Sequence, residues 1–243
     1  MPNLDIYYYK CNYIGQRNFI DRCNSFLTTL DITFDERNDY RSISRVLLIQ
    51  LLNQIYKLPL SVICFDYTST GKPYLSDNSA GIFFSISHKK DVFVIAISTQ
   101  YEIGVDVEYI AKRPKLLRIA QRFFTTREIH NITSKVSIDC KLDTFFDLWI
   151  LKESYLKACG AGFQFGVEKV EVYSSGLKQY GFKVGETDNT QYSGKLFEKI
   201  YSEYKFGIVF PGKLTPKFKT FELLDQDLSL NNLAIQETNL MRV

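Results

Sequence analysis

The chain has 243 residues, of which 45% are hydrophobic and 23% are charged, and its formal net charge is +3 at pH 7. This composition is that of an ordinary globular protein with a sizeable core, and it excludes wholesale disorder. A net charge of +3 is too small to indicate nucleic-acid binding by itself, although it allows a local basic site for an anionic ligand.

The cysteines and the first residues indicate where the protein works. The five cysteines are odd in number and form no C-x-x-C pair, which argues against a disulfide framework or a zinc site and favours a reducing compartment. The N-terminal residues lack the basic start and apolar run of a signal peptide, and no run approaches the ~20 apolar residues that span a bilayer. We therefore expect a cytoplasmic monomer with neither nucleic-acid nor membrane partners.

The first half of the chain is predicted to contain two helices among several strands. Residues 4–14 alternate and are rich in tyrosine, which is typical of a strand. Apolar spacing predicts a helix over 17–30 and a longer one that ends before Pro59. Arg41 and Arg45 share one face of that longer helix, because they lie four residues apart. Further strands are predicted at 62–67, 82–86, 92–98 and 102–108, with a turn at 70–73.

The second half begins with helices and continues with strands. Helices are predicted over 113–123, near Glu128 and over 141–159, strands at 167–173, 180–184, 191–198 and 204–209, and a polar loop at 131–139. Residues 215–243 are less patterned, so we expect them to lie on the surface or to fray. Both halves combine helices with antiparallel-looking strands. The sequence therefore predicts an α+β protein of two similar lobes, residues 1–102 and 103–220, with an extension at 221–243.

Two acidic residues on one predicted strand are candidates for a metal site. Asp106 and Glu108 lie two residues apart, so their side chains point to the same face of the strand. Alone, this pattern is usually an exposed acidic face. If Glu153 joins the pair, three carboxylates about 4 Å apart repel one another by several kcal/mol per pair at an effective dielectric of about 20, so they need a cation between them. Oxygen ligands beside basic residues favour Mg²⁺ shared with a phosphate substrate.

The longest predicted helix carries a stripe of polar and aromatic side chains. At about 100° per residue, Trp149, Glu153 and Lys157 follow one another along one face, with Lys152 beside them. The stripe is either a solvated face or one wall of a polar site. Lys152 and Lys157 can also be ordinary helix charges that pair with Asp147 and Glu153. A lone tryptophan such as Trp149 is more often a core residue than a ligand-binding one.

Basic residues elsewhere are equally ambiguous when each is taken alone. Lys72 lies in a Gly-Lys-Pro turn in which Pro73 restricts the backbone, and such a turn is usually a simple surface feature. His88 ends an apolar strand, where it is as often satisfied by a backbone carbonyl as by a ligand. The Gly-Ala-Gly segment at 160–162 is expected to end the long helix.

Six segments of the sequence nevertheless occur in a recognisable order. They are Asp39-x-Arg41, Gly71-Lys72-Pro73-Tyr74-Leu75, Phe84-Ser85-Ile86-Ser87-His88, Gly104-Val105-Asp106-Val107-Glu108, Arg122-Phe123-Phe124-Thr125-Thr126-Arg127-Glu128 and Trp149-x-x-Lys152-Glu153-Ser154-x-x-Lys157. The order and the residues of these segments resemble those of the 4′-phosphopantetheinyl transferases, in particular the two-lobed Sfp type that activates peptide and polyketide synthases. The resemblance covers residues 34–165, and the last segment together with Gly-Val-Asp-Val-Glu is specific.

The resemblance implies a fold and a reaction. The fold is a pseudo-dimer of two α+β lobes with antiparallel sheets and an active-site cleft between the lobes. The reaction transfers the 4′-phosphopantetheine arm of coenzyme A to a serine of an apo acyl or peptidyl carrier protein, releases adenosine 3′,5′-bisphosphate and requires Mg²⁺. A non-catalytic module of the same fold that only binds coenzyme A or a nucleotide is the alternative.

The resemblance also implies roles for individual residues. Asp106, Glu108 and Glu153 would hold Mg²⁺, with Glu128 as a neighbour of the metal site. Glu153 would also accept the proton of the carrier serine, and Lys157 would stabilise the leaving phosphate oxygen. The other implied contacts to coenzyme A are Arg41 and His88 at the 3′-phosphate, Lys152 and Lys157 at the pyrophosphate, Lys72, Pro73 and Ser87 around the nucleotide, and Trp149 as an apolar wall. As a departure from the family pattern, Arg37 is the only basic residue in the 27–40 segment before Arg41.

Overall fold

The computed structural model describes residues 3–14, 16–32, 39–112, 116–176, 179–185, 187–197, 199–224 and 234–240. In chain order the elements are β1 (Asn3–Lys10), α1 (Arg17–Thr29), α2 (Asp39–Gln54), β2 (Phe65–Tyr67), β3 (Pro73–Leu75), β4 (Phe83–Lys89), β5 (Val92–Ser98), β6 (Gly104–Tyr109), α3 (Leu116–Phe123), α4 (Thr126–Thr133), α5 (Ile138–Ala158), β7 (Val170–Gly176), β8 (Gln179–Val184), β9 (Thr187–Leu196), β10 (Tyr204–Pro211), β11 (Lys217–Leu224) and β12 (Ala234–Thr238). Within these ranges, no helix is both long enough and apolar enough to cross a membrane.

The first lobe is built on a five-stranded sheet in the order β12-β11-β1-β5-β4, with a small β2–β3 hairpin beside it. Helices α1 and α2 supply most of the apolar core that covers one face of this sheet. Helix α2 is buried over most of its circumference from Ser42 to Leu52, because its apolar run leaves little polar surface to face water.

The second lobe is built on an antiparallel five-stranded sheet in the order β6-β10-β9-β8-β7, and helices α3, α4 and α5 contribute to its core. The longest of these helices, α5, begins where the Ser137 side chain accepts a hydrogen bond from the Cys140 amide at 3.1 Å. It ends at Ala158, and Gly160, just beyond the cap residue, has a left-handed φ of 64°, while the Ala161 amide bonds the Leu156 carbonyl at 3.1 Å. The predicted glycine cap of this helix is confirmed.

The two sheets face each other across a third apolar cluster, which joins the lobes. Its members come from β1 and β5 in the first lobe and from β6 and β10 in the second, including Ile6, Val94, Val107 and Phe206. The α+β class and the arrangement in two lobes agree with the sequence-based prediction. The predicted boundary at 102/103 falls in the connection between β5 and β6.

The C-terminal segment corrects one expectation. Residues 215–243 were expected to lie on the surface or fray, yet β11 and β12 extend the sheet of the first lobe. Strand β11 pairs with β1 in parallel, from Asn3 opposite Lys217 to Tyr9 opposite Leu223, so the chain returns from the second lobe to the first. The limit predicted at 220/221 lies inside β11, and this sheet is not purely antiparallel. The residues of β11 alternate only weakly between apolar and polar. They form a strand because the free edge of β1 provides hydrogen-bond partners.

The predicted polar loop at 131–139 is also shorter than expected. Helix α4 continues to Thr133 and α5 begins at Ile138. A capping box starts α4, since Thr125 and Glu128 each bond the backbone amide of the other, at 3.3 and 2.8 Å. The side-chain cap of α5 then leaves only a short connection between the two helices.

Candidate active site

Two strands from different lobes meet at the cleft without forming a regular ladder. The Val105 amide of β6 donates to the Ser85 hydroxyl of β4 at 3.0 Å, and the Val107 amide donates to the Ser87 hydroxyl at 3.3 Å. Side-chain oxygens of the first lobe therefore satisfy the free backbone edge of the second lobe.

Helix α5 lies unusually close to β6, and Gly104 makes this approach possible. A Cβ atom at Gly104 would lie 1.9 Å from the Ser154 carbonyl oxygen and 2.4 Å from the Ala158 amide nitrogen. The buried Ser154 hydroxyl also donates to a carbonyl of β10 at 3.1 Å. Glu153 and Lys157, which flank this contact line on α5, are thereby carried to the edge of β6 that faces the cleft.

Lys157, Asp106 and Ser87 converge from three separate elements. The Lys157 ammonium donates to Asp106 Oδ1 at 2.7 Å, to the Ser87 hydroxyl at 2.9 Å and to the Val105 carbonyl at 3.0 Å. The Ser87 hydroxyl in turn donates to Asp106 Oδ1 at 2.7 Å. The second carboxylate oxygen of Asp106, Oδ2, is buried and has no hydrogen-bond partner. A buried carboxylate oxygen without a partner is costly unless a ligand completes it.

Glu153 lies half-buried on the wall of the cleft. Its burial and the negative charge of Asp106 raise the pKa of the Glu153 carboxyl to about 7, against the opposing effect of Lys157, and Glu108 raises it further. The three predicted carboxylates therefore influence one another electrostatically. Near neutral pH this carboxyl is divided between its protonated and ionised forms, which suits an acid–base group.

Glu108 is held by Lys89, one of the basic residues of the sequence, for which no role was predicted. Lys89 Nζ lies 3.0 Å from Glu108 Oε1 and 2.8 Å from Oε2, and the Glu108 side chain is only 9% exposed. Lys89 follows Ser85 and Ser87 at a spacing of two residues along β4, so all three face β6. That spacing is the signal in the sequence that could have identified Lys89.

Lys89 and Lys157 also explain why the carboxylates of the cleft are not already arranged as a metal site. In the part of the chain that the structure describes, no three His, Cys, Asp or Glu side chains are grouped closely enough to hold a metal ion. Lys157 and Lys89 instead hold Asp106 and Glu108. The unpartnered Asp106 Oδ2 and the all-oxygen donor set still fit a hard divalent cation, provided that these ion pairs rearrange.

A cavity of about 280 Å³ lies between the lobes beside this cluster. Its lining includes the predicted residues Lys72, Pro73, Glu153 and Lys157, and the other lining residues are Thr70, Gly71, Phe84, Ser85, Ile86, Leu156, Gly160 and Gly162. The Lys72 ammonium pairs with Glu102 at 2.5 Å at this wall.

A hydrogen bond between the lobes closes one side of the cavity. The Thr70 hydroxyl of the β2–β3 turn donates to the Gly160 carbonyl at 2.6 Å. Gly162, with a left-handed φ of 66°, also packs against Thr70, where an added Cβ would lie 3.1 Å from the threonine Cβ. From the sequence these glycines were predicted only to end the helix, and Thr70 was not predicted as part of the site.

His88 and Arg41 lie next to the cleft cluster but not on the wall of the cavity. The His88 ring stacks on Tyr40 with centroids 4.8 Å apart and planes at 9°. Packing desolvates the ring and lowers the pKa of His88, and the positive charges of Lys157, Lys89 and Arg41 lower it further, partly opposed by Asp106. These basic groups form a positive region at the end of β4. Arg37, the basic residue before Arg41, lies outside the described residues.

Lys152 and Glu128 occupy a different place from the one predicted. The Lys152 ammonium is fully buried, where it pairs with Glu128 at 2.7 Å and donates to the carbonyls of Phe123 at 2.9 Å and Val167 at 3.3 Å. Glu128 also accepts from the Val172 amide at 2.8 Å. These partners use all three protons of the ammonium. The structure therefore holds Lys152 and Glu128 as a buried ion pair away from the cavity wall, and their expected roles at the pyrophosphate and beside the metal site stay predictions.

Trp149 belongs to the aromatic core of the second lobe. Its ring lies 5.5 Å from that of Phe123, 6.2 Å from Phe124 and 6.2 Å from Phe145. Residues four apart on a helix differ by about 40° in direction, so Trp149 and Lys157 are separated by about 80°. This drift is why the predicted stripe splits, with Glu153 and Lys157 at the cleft and Trp149 against α3. This packing does not support the expected contact of Trp149 with coenzyme A, which stays a prediction.

Comparison with known proteins matches most of this architecture to one family. Residues 102–209 match the family model described as the 4′-phosphopantetheinyl transferase superfamily, and residues 28–100 match the N-terminal model of 4′-phosphopantetheinyl transferases. Together the two models cover the cleft, including β4, β6 and α5.

Relatives from bacteria and animals carry consistent names. The chain is 37% identical over 110 residues to the 4′-phosphopantetheinyl transferase HetI of Nostoc sp. (44% of this chain, 46% of the relative). It is 32% identical over 164 residues to the 4′-phosphopantetheinyl transferase gsp of Aneurinibacillus migulanus (67% and 66%). It is 30% identical over 136 residues to the human L-aminoadipate-semialdehyde dehydrogenase-phosphopantetheinyl transferase (52% and 44%). The chain thus spans about half to two thirds of the length of these relatives. It belongs to the 4′-phosphopantetheinyl transferase superfamily.

Proposed function

We propose that this protein transfers the 4′-phosphopantetheine moiety of coenzyme A to a serine of an apo acyl or peptidyl carrier protein, with release of adenosine 3′,5′-bisphosphate. The observation that carries the proposal is the convergence of Ser87, Asp106 and Lys157 beside Glu153 in the cleft. Membership of the superfamily and the names of the relatives support the same reaction.

The basic residues around the cleft suit a substrate with several phosphates. Lys72 and Pro73 line the cavity, where we assign them to the nucleotide together with Ser87. Arg41 contributes to the positive region at the end of β4, beside the His88 ring, and we assign both residues to the 3′-phosphate. Lys157 lines the cavity with a side chain that is 31% exposed, so we assign its ammonium to the pyrophosphate, which would replace one of its present acceptors.

The chemical step is an in-line displacement at the phosphorus that bears the pantetheine arm. The carrier serine oxygen forms a new bond to this phosphorus, and the bond from phosphorus to the bridging oxygen breaks. Glu153, directly or through a water molecule, accepts the serine proton, and its pKa of about 7 is well placed for this role at neutral pH. The Lys157 ammonium stabilises the negative charge on the departing oxygen of adenosine 3′,5′-bisphosphate. No covalent enzyme intermediate is required.

We propose Mg²⁺ as the metal and Asp106, Glu108 and Glu153 as the residues that would hold it. The buried, unpartnered Oδ2 of Asp106 and the purely oxygen donor set support this assignment. When bound, the ion would supply positive charge against the pyrophosphate oxygens.

The remaining assignments concern the setting in which the enzyme works. We propose that it acts as a monomer and that it works in the cytoplasm, a reducing compartment with which the five free cysteines agree. Carrier proteins of this family's reaction present an acidic helix beside the target serine, so we expect a basic rim around the cleft to receive them.

The test is transfer itself. The protein is incubated with coenzyme A, Mg²⁺ and apo carriers from fatty acid, polyketide and peptide synthesis, and each carrier is examined by intact mass spectrometry for the added phosphopantetheine. We expect Asp106→Ala and Glu153→Gln to lower the transfer rate at least about 10²-fold, because each removes a cleft carboxylate. Asp66→Ala, which removes an exposed carboxylate on β2, is the matched control and should retain the wild-type rate.

The alternative function predicts a different result. A module that only binds coenzyme A would give a calorimetric binding signal with coenzyme A but no mass shift on any carrier. Full activity of the Glu153→Gln variant would instead overturn its assignment as base and metal ligand. Circular dichroism of each variant separates loss of chemistry from loss of folding.

A further inference from the structure

Lys89 makes a contact that none of the assigned roles requires. Its ammonium bridges both oxygens of Glu108, at 3.0 and 2.8 Å, while its own side chain is 36% exposed. Glu108, at 9% exposure, is much more enclosed than its partner. The pair therefore consists of an enclosed carboxylate and a cation that can leave towards solvent.

Lys89 also carries its charge near the residues proposed to bind the phosphates. It is adjacent to His88, and its charge acts on the His88 ring together with the charges of Lys157 and Arg41. Lys157 is placed similarly, because it pairs with Asp106 and also lines the cavity. Each lysine thus pairs with a carboxylate assigned to the metal, and the charge of each acts on His88, which is assigned to a phosphate.

We infer that Lys89 is a resident counter-ion of Glu108 that a divalent cation must displace, and that the displaced ammonium is then free to contact the phosphates of coenzyme A. This inference rests on the proposed function. While the Lys89 ammonium contacts both oxygens of the enclosed Glu108 carboxylate, a divalent cation has to compete with it for them, so each opposes the binding of the other. Phosphates that take up the released ammonium make the displacement easier.

The consequence is that metal and coenzyme A bind with positive coupling. Coenzyme A should raise the affinity for the metal, and the metal should raise the affinity for coenzyme A by the same factor. Lys89 is a positioning residue in this scheme, because it acts through Glu108 and through the phosphates rather than at the reacting atoms. If the Lys89 ammonium is removed, the protein should bind the metal more tightly in the absence of coenzyme A. Its metal affinity should also depend less on coenzyme A.

The experiment measures Mn²⁺ binding by electron paramagnetic resonance, with Mn²⁺ as the spectroscopic probe for a site of oxygen ligands. Free Mn²⁺ is titrated against wild-type protein and the Lys89→Met variant, each with and without saturating coenzyme A and without carrier protein. For Lys89→Met we expect about threefold tighter Mn²⁺ binding in the absence of coenzyme A, because an ion pair of this exposure is worth up to about a fivefold change in an equilibrium constant. We also expect a smaller enhancement by coenzyme A than in the wild type.

The chain offers two matched controls. Lys90→Met removes the same charge one residue further along, but the Lys90 ammonium lies over the Tyr109 ring at 3.0 Å. It should leave the Mn²⁺ affinity at the wild-type value, which excludes a general effect of net charge. Lys89→Arg keeps the charge and should restore wild-type coupling.

The outcomes separate this inference from the proposed function. If wild-type protein binds Mn²⁺ and folded Lys89→Met binds it equally or more weakly, Lys89 does not compete with the metal and the inference is overturned while the metal assignment stands. If neither protein binds Mn²⁺ with or without coenzyme A, the metal assignment itself fails and the inference fails with it. Equal tightening in Lys90→Met would also overturn the inference.

Discussion

Replacing Lys152 by methionine tests whether this lysine serves the fold or the substrate. Methionine keeps most of the side-chain length but removes the ion pair to Glu128 and the two hydrogen bonds to the carbonyls of Phe123 and Val167. Glu128, which is 2% exposed, would remain as a buried carboxylate without a counter-ion. Removing one partner of a buried pair typically costs about 3–5 kcal/mol. That is a large part of the total stability of about 5–15 kcal/mol that most domains have.

Urea denaturation followed by far-ultraviolet circular dichroism measures the loss. With a denaturant dependence of about 3 kcal/mol per molar urea, the midpoint should fall by about 1–1.7 M. The Michaelis constant for coenzyme A, measured where the variant is folded, should stay within about twofold of the wild-type value. Lys141→Met on the same helix is the control, and we expect a change below about 0.5 kcal/mol because Lys141 is partly exposed.

The double variant Lys152→Met/Glu128→Gln provides an internal check. It removes both charges, so the buried carboxylate no longer lacks a counter-ion, and its loss of stability should be smaller than the sum of the two single losses. The opposite pattern would refute the reasoning: unchanged stability in Lys152→Met together with a tenfold or larger rise in the Michaelis constant for coenzyme A. Lys152 would then reach the substrate phosphates after all.

Two further predictions follow from the packing and the electrostatics of the cleft. Gly104→Ala should lower the free energy of unfolding by several kcal/mol or prevent folding, because the new Cβ would lie 1.9 Å from the backbone of α5. Urea denaturation measures the loss. The control is Gly185→Ala, whose Cβ would meet nothing within 4 Å. Glu153→Gln should stabilise the metal-free protein at pH 8 but not at pH 5. The folded-state pKa of about 7 lies above the ordinary value of 4.5, so wild-type stability falls as the pH rises through this window, by up to about 3 kcal/mol.

Each of these predictions has a contrary outcome. Gly185 has a left-handed φ of 63°, so a small loss is expected in that control and only a clearly larger loss in Gly104→Ala supports the close approach of α5. For Glu153, denaturation is repeated in a chelating buffer at both pH values. An equal effect of Glu153→Gln at pH 5 and pH 8 would show that the carboxyl does not titrate between its ordinary and its raised pKa.

The local patterns in the sequence were sufficient for most of the elements before β11 and for the chemical types in the cleft. Period-two alternation identified β6 and placed Asp106 and Glu108 on one face, and period 3.6 identified α5. The segments shared with the family identified Lys72, Glu153 and Lys157 before their neighbours were known. These features depend on residues that are close together in the chain, so a single sequence contains them.

Contacts between distant residues were decided only by the tertiary structure. Lys152 and Glu153 are adjacent in sequence but differ by about 100° in direction on α5, so one is enclosed by the second lobe while the other lines the cleft. The local sequence pattern does not indicate which side of α5 faces the cleft and which faces the second lobe. That orientation depends on the close contact between α5 and β6 at Gly104. The pairing of Lys89 with Glu108, and the return of β11 to the edge of β1, were equally invisible. Both join segments from different parts of the chain, and only folding brings such partners within hydrogen-bonding distance.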